Sequence, residues 1–304
     1  MEGWQAVAPG TLERARRSGA WALARDTFAV SWRYRVTGLA AEAAFFALVS
    51  LPPLVLGLIG AVGFVGDRLG PDVVQQIKDA IIEAADAILT QDTVDDFVEP
   101  LLDDVLTRGR FDVTLLGVII TLWAGSRCLN VYVDTISIMH GLGGKRGPVR
   151  IRVVSFSMYL VALLVGVVVL PMLVIGPGLL KEAFPGLAGV IDVLYWPVVL
   201  VLALTFLTTL YHVSVPAATR WPRAVPGALL AFGIWAGGAL VLRLYLSSLF
   251  SSASVYGGFA APVAVLFWAY LTALAVLIGA ALNAVLDARS TAANNQVPGA
   301  PTPA

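Results

Sequence analysis

Residues 244–286 read LYLSSLFSSASVYGGFAAPVAVLFWAYLTALAVLIGAALNAVL, a run of 43 residues without a charged side chain. A helix needs about 20 apolar residues to cross the roughly 30 Å hydrocarbon core of a bilayer, so this run is too long for one span. Small polar residues and a glycine pair interrupt it at 247–258, where a helix is expected to break. The stretch therefore predicts two membrane spans, at about 225–246 and 259–286.

Four further charge-poor runs precede this stretch, at 36–65, 113–140, 153–180 and 193–219. The chain of 304 residues is 58% hydrophobic and 13% charged, and its mean hydropathy is +0.83. A soluble domain is about 25% charged. These values exclude an ordinary soluble protein and predict an all-α fold, a polytopic membrane helical bundle with six transmembrane helices.

Lys and Arg are unevenly distributed among the segments that flank these spans. Thirteen of the 20 basic residues lie in segment 1–37, in the loops 140–152 and 212–224 and in the carboxy-terminal tail, whereas five lie in the alternate segments. Basic residues are enriched on the cytoplasmic side of a membrane. We therefore predict that both termini are cytoplasmic and that the protein lies in the cytoplasmic (inner) membrane, as a multi-pass protein.

Three parts of the chain are distinguished by composition: a basic arm at 1–35, the transmembrane domain at 36–287 and a polar, proline-rich tail at 288–304. The arm mixes Arg with Trp21, Phe28 and Trp32, which suits a helix on an anionic membrane surface. An ordinary basic flank that sets topology explains the arm equally well. The tail is predicted to be disordered.

The insert at 67–112 contains 12 of the 20 acidic residues and is predicted to be extracytoplasmic. Apolar residues recur at helical spacing over 72–89 and again from Val94 to Val105, which predicts two amphipathic helices. Their acidic faces could form a lid or docking surface, or only a solvated face on a connector, which we favour.

Several motifs, in this order along the chain, resemble the YihY/virulence-factor BrkB family of six-span cytoplasmic-membrane proteins. They are AAFFALVSLPP (43–53), YHVSVP (211–216), WPRAVPGA (221–228), FWAYL (267–271) and GAALNA (279–284). The resemblance covers about residues 30–287. It implies transport or flipping of a lipid-like substrate as the leading suggestion, while the family's old label, ribonuclease BN, is regarded as a misassignment.

The family-motif residues are polar, aromatic or conformationally special positions within these stretches. They are Pro52, Tyr211, Pro216, Trp221, Gly227, Trp235, Tyr256, Gly257, Trp268, Tyr270, Gly279 and Asn283.

A polar stripe inside the second predicted span forms a candidate site. Arg127, Asn130 and Asp134 are spaced three and four residues apart, so they share one face of a helix. Charged groups inside a bilayer are costly and usually face the protein interior. Glu42 in the first span, or Asp134, is the expected partner of Arg127. The stripe is either a proton-linked or headgroup-binding site, or a structural ion pair that fixes helix packing.

Catalytic chemistry is not indicated by the sequence. The single cysteine, Cys128, cannot form an internal disulfide, and no metal-ligand spacing, Walker loop or Ser-His-Asp arrangement is present. We therefore predict no enzyme activity, no catalytic residue, no metal and no cofactor. The clustered acidic residues would repel RNA, so nucleic acid is not an expected partner.

The buried polar stripe, the prolines within the spans and the family resemblance favour a transporter or flippase of a lipid-like substrate, with membrane lipids as the expected partners. The alternative is a non-transporting scaffold or envelope-integrity protein. Gly233 and Gly237 form a GxxxG pattern, which permits close helix approach. It serves packing within one chain, which we favour, or association into a homo-oligomer.

Overall fold

The computed structural model describes residues 19–69, 111–175, 188–217, 220–250 and 257–294, together with a few single positions between these ranges. All regular structure in these ranges is helical, which confirms the predicted all-α class. The seven helices are α1 Ala20–Arg33, α2 Val36–Leu69, α3 Phe111–Met139, α4 Pro148–Ile175, α5 Ala188–Ser214, α6 Val225–Phe250 and α7 Gly257–Asn294.

Six of these helices, α2 to α7, are long and apolar enough to cross a membrane, which confirms the predicted number of spans. α1 is the short helix of the basic arm. A 3-10 turn at Trp221–Ala224 leads into α6. The direction in which the chain crosses the membrane stays a prediction.

Several helix ends differ from the predicted boundaries by four or more residues, among them the start of α4 and the end of α7. α4 begins at Pro148, upstream of the predicted 153, because a proline is favourable in the first turn of a helix. α7 continues to Asn294, through part of the predicted disordered tail 288–304. The Ser290 and Thr291 hydroxyls donate to the Asp287 carbonyl at 2.9 and 3.0 Å, and Arg289 pairs with Asp26 of α1. These contacts stabilise the end of α7, in a segment that its composition alone predicts to be disordered.

The chain divides into two compact units. The first contains the chain up to Glu42, Leu129–Gly237 and the chain from Thr272 onward. The second contains Ala43–Cys128 and Gly238–Leu271.

Close contact between α2 and α3 marks the second unit. A Cβ added at Gly117 would lie 3.0 Å from the Pro53 carbonyl oxygen and 3.4 Å from the Gly57 nitrogen. A glycine is favoured there because a larger residue would press on the backbone of the neighbouring helix.

Most of the insert 67–112 lies outside the described residues, and so does the prediction of two amphipathic helices within it. One ion pair in the insert is described: Lys78 Nζ lies 3.2 Å from Glu99 Oε1.

Candidate functional site

A buried polar cluster joins α5, α6 and α7 in the first unit. The Tyr211 hydroxyl donates to the Val276 carbonyl at 2.8 Å. Asn283 connects α7 to the start of α6 in both directions: its Oδ1 accepts from the Gly227 N–H at 2.8 Å, and its Nδ2 donates to the Ala224 carbonyl at 3.0 Å. The first turn of a helix leaves N–H groups unpaired. Asn283 therefore caps α6 from a neighbouring helix.

Two glycines bring α6 and α7 into backbone contact beside this cluster. A Cβ at Gly279 would clash with the Gly227 carbonyl oxygen and would lie 2.5 Å from the Tyr211 hydroxyl and 2.9 Å from Ala231 Cβ. A Cβ at Gly227 would clash with Asn283 and with the Gly279 carbonyl oxygen. The structure thus unites Tyr211, Gly227, Gly279 and Asn283, four of the predicted family-motif residues. We call these four residues the packed cluster.

The end of α5 is held by side chains from α3 and from the loop that follows it. The Ser137 hydroxyl donates to the Ser214 carbonyl at 2.7 Å. Arg146 Nη1 donates to the Val213 carbonyl at 2.9 Å and to that of Ser214 at 3.4 Å. The last carbonyls of a helix lack intrahelical donors and carry partial negative charge, so a guanidinium is a favourable partner. Burial, and then the nearby Arg150, lower the pKa of Arg146.

α1 is attached to α7 by charge. Arg289 Nη2 donates to Asp26 Oδ2 at 2.6 Å, and both side chains are about one-quarter exposed. Two residues earlier on α7, Asp287 Oδ2 lies 3.5 Å from His140 Nε2 at the end of α3. The basic arm therefore contains a helix that is anchored to the first unit.

An open cavity of about 840 Å³ lies between α1, the start of α2, and parts of α6 and α7. Leu274, Ile278 and Leu282 line it from α7, while Leu230 and Ile234 line it from α6. These positions belong to helices that are apolar enough to span a membrane. We call this space the α1 cavity.

Two aromatic residues of α1 form the rim of this cavity. Phe28 and Trp32 line it, yet they are 68% and 74% exposed, and their rings stack at a centroid distance of 6.2 Å. Arg35, in the turn between α1 and α2, is the charged residue among those that the structure places around the cavity. This combination is suited to an amphiphile, with a hydrocarbon part inside and a polar part at the turn.

The predicted polar stripe is divided between the two units. Arg127 falls in the second unit, where its Cζ lies 5.2 Å from the centre of the Phe46 ring, and Trp123 meets the same ring edge-on at 6.2 Å. Asn130 and Asp134 are half-buried in the first unit.

Glu42, also in the first unit, is exposed, which differs from the buried position expected from the sequence. Its neighbours on α2, Ala43 and Ala44, are buried, so the helix turns its small residues inward and the carboxylate outward. The pairing of Arg127 with Glu42 or Asp134 stays a prediction.

The other family-motif residues do not belong to the packed cluster. Trp221 Nε1 donates to Thr209 Oγ1 at 3.3 Å, and the half-buried Trp235 packs on Phe232 at 5.9 Å. Tyr256 lies outside the described residues. The remaining positions are Pro52 and Trp268, which are exposed, Pro216 and Tyr270, which are half-buried, and Gly257, at the first residue of α7.

The GxxxG pattern of α6 is open. No described atom would lie within 4 Å of a Cβ at Gly233 or at Gly237. The favoured interpretation, close packing within one chain, is therefore not supported in the part of the chain that the structure describes.

Sequence reasoning missed three residues of the first unit: Asp26, Arg35 and Arg146. Asp26 is the acidic residue of an otherwise basic helix, and Arg146 follows the glycines of a short loop. Both features are visible in the sequence and could have marked these two residues as candidates. The α1 cavity has no local signal, because it depends on how three segments distant in sequence, 20–37, 230–234 and 274–282, pack. Within the described residues, no group of three or more His, Cys, Asp or Glu side chains could hold a metal ion.

Six helices that are long and apolar enough to cross a membrane define the chain as a polytopic α-helical membrane protein. The chain belongs to the virulence factor BrkB family, whose model matches residues 27–302. It is 22% identical over 255 residues to YfkH of Bacillus subtilis (strain 168), a protein whose name describes it as ribonuclease-like; the match covers 82% of this chain and 89% of that relative. No solved structure matches the chain significantly.

Proposed function

We propose that this protein moves a lipid-like substrate across the cytoplasmic membrane. The observation that carries the proposal is the α1 cavity, an open space of about 840 Å³ whose mostly apolar lining is shared between α1 and the candidate membrane spans α2, α6 and α7. Ligand sites are typically concave, mostly apolar and of about 300–1,000 Å³. A hydrocarbon chain fits such a lining, whereas a hydrophilic solute would find few polar partners there.

Lipid movement in proteoliposomes tests this proposal. The purified full-length chain is reconstituted with fluorescently labelled phosphatidylcholine and phosphatidylglycerol, and the fraction of label that an impermeant quencher reaches is followed over time. We expect faster movement than in protein-free vesicles. Equal rates in the two preparations would remove the transporter and leave the scaffold as the function.

A matched pair of variants tests whether the movement depends on the cavity. Leu230 lines it, whereas its neighbour Leu229 is exposed and does not line it. Leu230→Trp fills the space and is expected to slow lipid movement, and Leu229→Trp adds the same bulk on the same helix turn with little effect. Equal rates in both variants would show that lipid moves elsewhere.

The orientation is part of the proposal, because it assigns the cavity to the cytoplasmic leaflet. In a Cys128→Ala background, single cysteines at Asp86 and Ser251 are expected to react with an impermeant thiol reagent added to intact cells. Cysteines at Gly144 and Thr302 are expected to react only after permeabilisation. Reaction at Gly144 from outside would reverse the assignment.

The name of the relative YfkH raises RNA cleavage as a different activity. We propose that this chain lacks it, since phosphodiester hydrolysis generally needs clustered metal ligands or a positioned acid and base. Incubation of the purified protein with labelled RNA and Mg²⁺ or Mn²⁺ is expected to leave the RNA intact. Cleavage that copurifies with the protein would contradict this.

A further inference from the structure

One side chain in the lining of the α1 cavity is charged. Three hydroxyl side chains also line it: Thr27 donates to the Leu23 carbonyl at 2.8 Å, Ser31 donates to the Thr27 carbonyl at 2.9 Å, and Thr37 offers a single hydroxyl. The hydrogens of Thr27 and Ser31 are therefore engaged within α1. Arg35 remains as the group that can offer several donors to a ligand.

The backbone fixes Arg35 at the point where α1 turns into α2. Its φ is 51°, a left-handed conformation that residues other than glycine seldom adopt. Its N–H donates to the Trp32 carbonyl at 3.1 Å, and the next residue, Val36, is 2% exposed. The turn is therefore held by this hydrogen bond on one side and by the buried Val36 on the other, which fixes the Arg35 backbone at the edge of the cavity.

The charges around this turn favour an anion. A second exposed arginine, Arg33, lies two residues before Arg35. The acidic residue of α1, Asp26, is already paired with Arg289 at 2.6 Å and with Arg25 at 3.3 Å. No acidic residue is among those that the structure places around the cavity. A carboxylate that would compete for Arg35 is thus absent from the described lining.

We propose that the α1 cavity binds one anionic phospholipid of the surrounding membrane, with its chain between α1, α6 and α7 and its phosphate on Arg35. The inference rests on the proposed function and names the substrate class of that same site. A guanidinium presents a planar fork of donors that matches a phosphate, so Arg suits this headgroup better than Lys does. The apolar lining supplies the rest of the affinity through the chain, and the open rim at Phe28 and Trp32 gives the lipid a route in from the bilayer.

Photocrosslinking in nanodiscs tests the binding without requiring any movement of lipid. The full-length chain is placed in phosphatidylcholine nanodiscs that contain phosphatidylglycerol or phosphatidylcholine with a photoactivatable acyl chain, at equal mole fraction. Adducts on residues 230–234 and 274–282 are quantified by mass spectrometry. We expect about fivefold more adduct from phosphatidylglycerol, the ratio that one interfacial Arg can supply.

Two arginines close in sequence provide a matched comparison. Arg35→Gln is expected to abolish the preference for phosphatidylglycerol, and Arg35→Lys is expected to retain part of it. Arg33→Gln removes the same charge from the same surface but lies outside the cavity lining, so it is expected to keep the preference. Thermal unfolding of each variant checks that it folds.

Each result either supports or overturns the proposal. No preference in the wild type, or equal loss in Arg33→Gln and Arg35→Gln, overturns it, and equal loss assigns the attraction to the membrane surface charge. A preference that is undiminished in Arg35→Gln also overturns it, because the phosphate would then bind elsewhere. A preference that persists in a protein that moves no lipid upholds this site while the proposed function fails.

Discussion

α7 presents two different faces within the same turns of helix. Gly279 and Asn283 pack against α6 with no spare volume, whereas Ile278 and Leu282, each one position before them, line an open cavity. The packed face is made of small and polar residues, and the open face is made of large apolar ones. Large side chains that remain half-buried beside an anchored helix leave space for a ligand. The difference separates what holds the fold from what is available for function.

The largest expected effect comes from filling the packed face. Gly279→Ala places a Cβ against the Gly227 carbonyl, a backbone atom that cannot move aside as a side chain can. Overpacking costs about 1–3 kcal/mol, and we expect the upper end of that range or a failure to fold. Yield after membrane extraction and thermal unfolding in detergent measure it.

Gly233→Ala is the matched control, since no described atom lies within 4 Å of its Cβ. In a helix interior it is expected to be neutral or to stabilise by about 0.5–1 kcal/mol. Equal destabilisation by both substitutions would show that the open position of Gly233 is covered.

Asn283→Ala is expected to have the next largest effect. It removes both hydrogen bonds of the Asn283 side chain, so the Gly227 N–H loses its acceptor and the Ala224 carbonyl loses its donor. Leaving a buried polar group unpaired costs about 1–3 kcal/mol, so we expect a loss of about 2 kcal/mol in the free energy of unfolding. Tyr211→Phe removes one donor to a carbonyl and is expected to cost about 1 kcal/mol. A smaller loss in Asn283→Ala than in Tyr211→Phe would contradict the capping role.

The Arg146 contact to the end of α5 is expected to contribute less, because it lies at the half-exposed margin of the unit. Arg146→Lys keeps the charge but loses the fork that reaches the Val213 and Ser214 carbonyls. We expect a loss of about 1 kcal/mol in thermal unfolding experiments. The neighbouring Lys145→Gln, in which an exposed side chain changes, is expected to have no effect.

The sequence predicts the two faces of α7 unequally. Charge-poor runs set the number of spans, because each apolar helix must cross the bilayer by itself. The family motifs identify Gly279 and Asn283 without explaining that one permits contact with α6 and the other caps it. Neither the α1 cavity nor Arg35 has a periodicity or spacing of its own, since both depend on contacts between segments distant in sequence. Glu42 shows the same limit. The sequence predicts its depth along α2, but it does not predict whether the side chain points into the protein or outward.

The smallest expected effect concerns Arg127, and it asks whether the second unit contains a polar centre comparable to the packed cluster. The sequence predicts a carboxylate partner, Glu42 or Asp134, whereas the described contact is the Phe46 ring at 5.2 Å. A cation–π contact contributes about 0.5–2 kcal/mol. A double-mutant cycle of Arg127→Met with Phe46→Leu, followed by thermal unfolding, is therefore expected to give a coupling of about 1 kcal/mol.

Parallel cycles of Arg127→Met with Glu42→Gln and with Asp134→Asn separate the predicted ion pairs from this ring contact. Removing one partner of a buried ion pair leaves an uncompensated charge and costs about 3–5 kcal/mol. Coupling well above 1 kcal/mol in either cycle would establish the ion pair and place the larger energy there. If the effects of Arg127→Met and of each acid substitution add, while Arg127→Met and Phe46→Leu are coupled, Arg127 is held by the aromatic ring and not by a carboxylate. Its charge would then still be able to bind an anion. Arg127→Lys in the lipid-movement assay then decides whether that capacity is used: it retains the charge, so a loss of movement without a loss of stability would assign Arg127 to the lipid pathway.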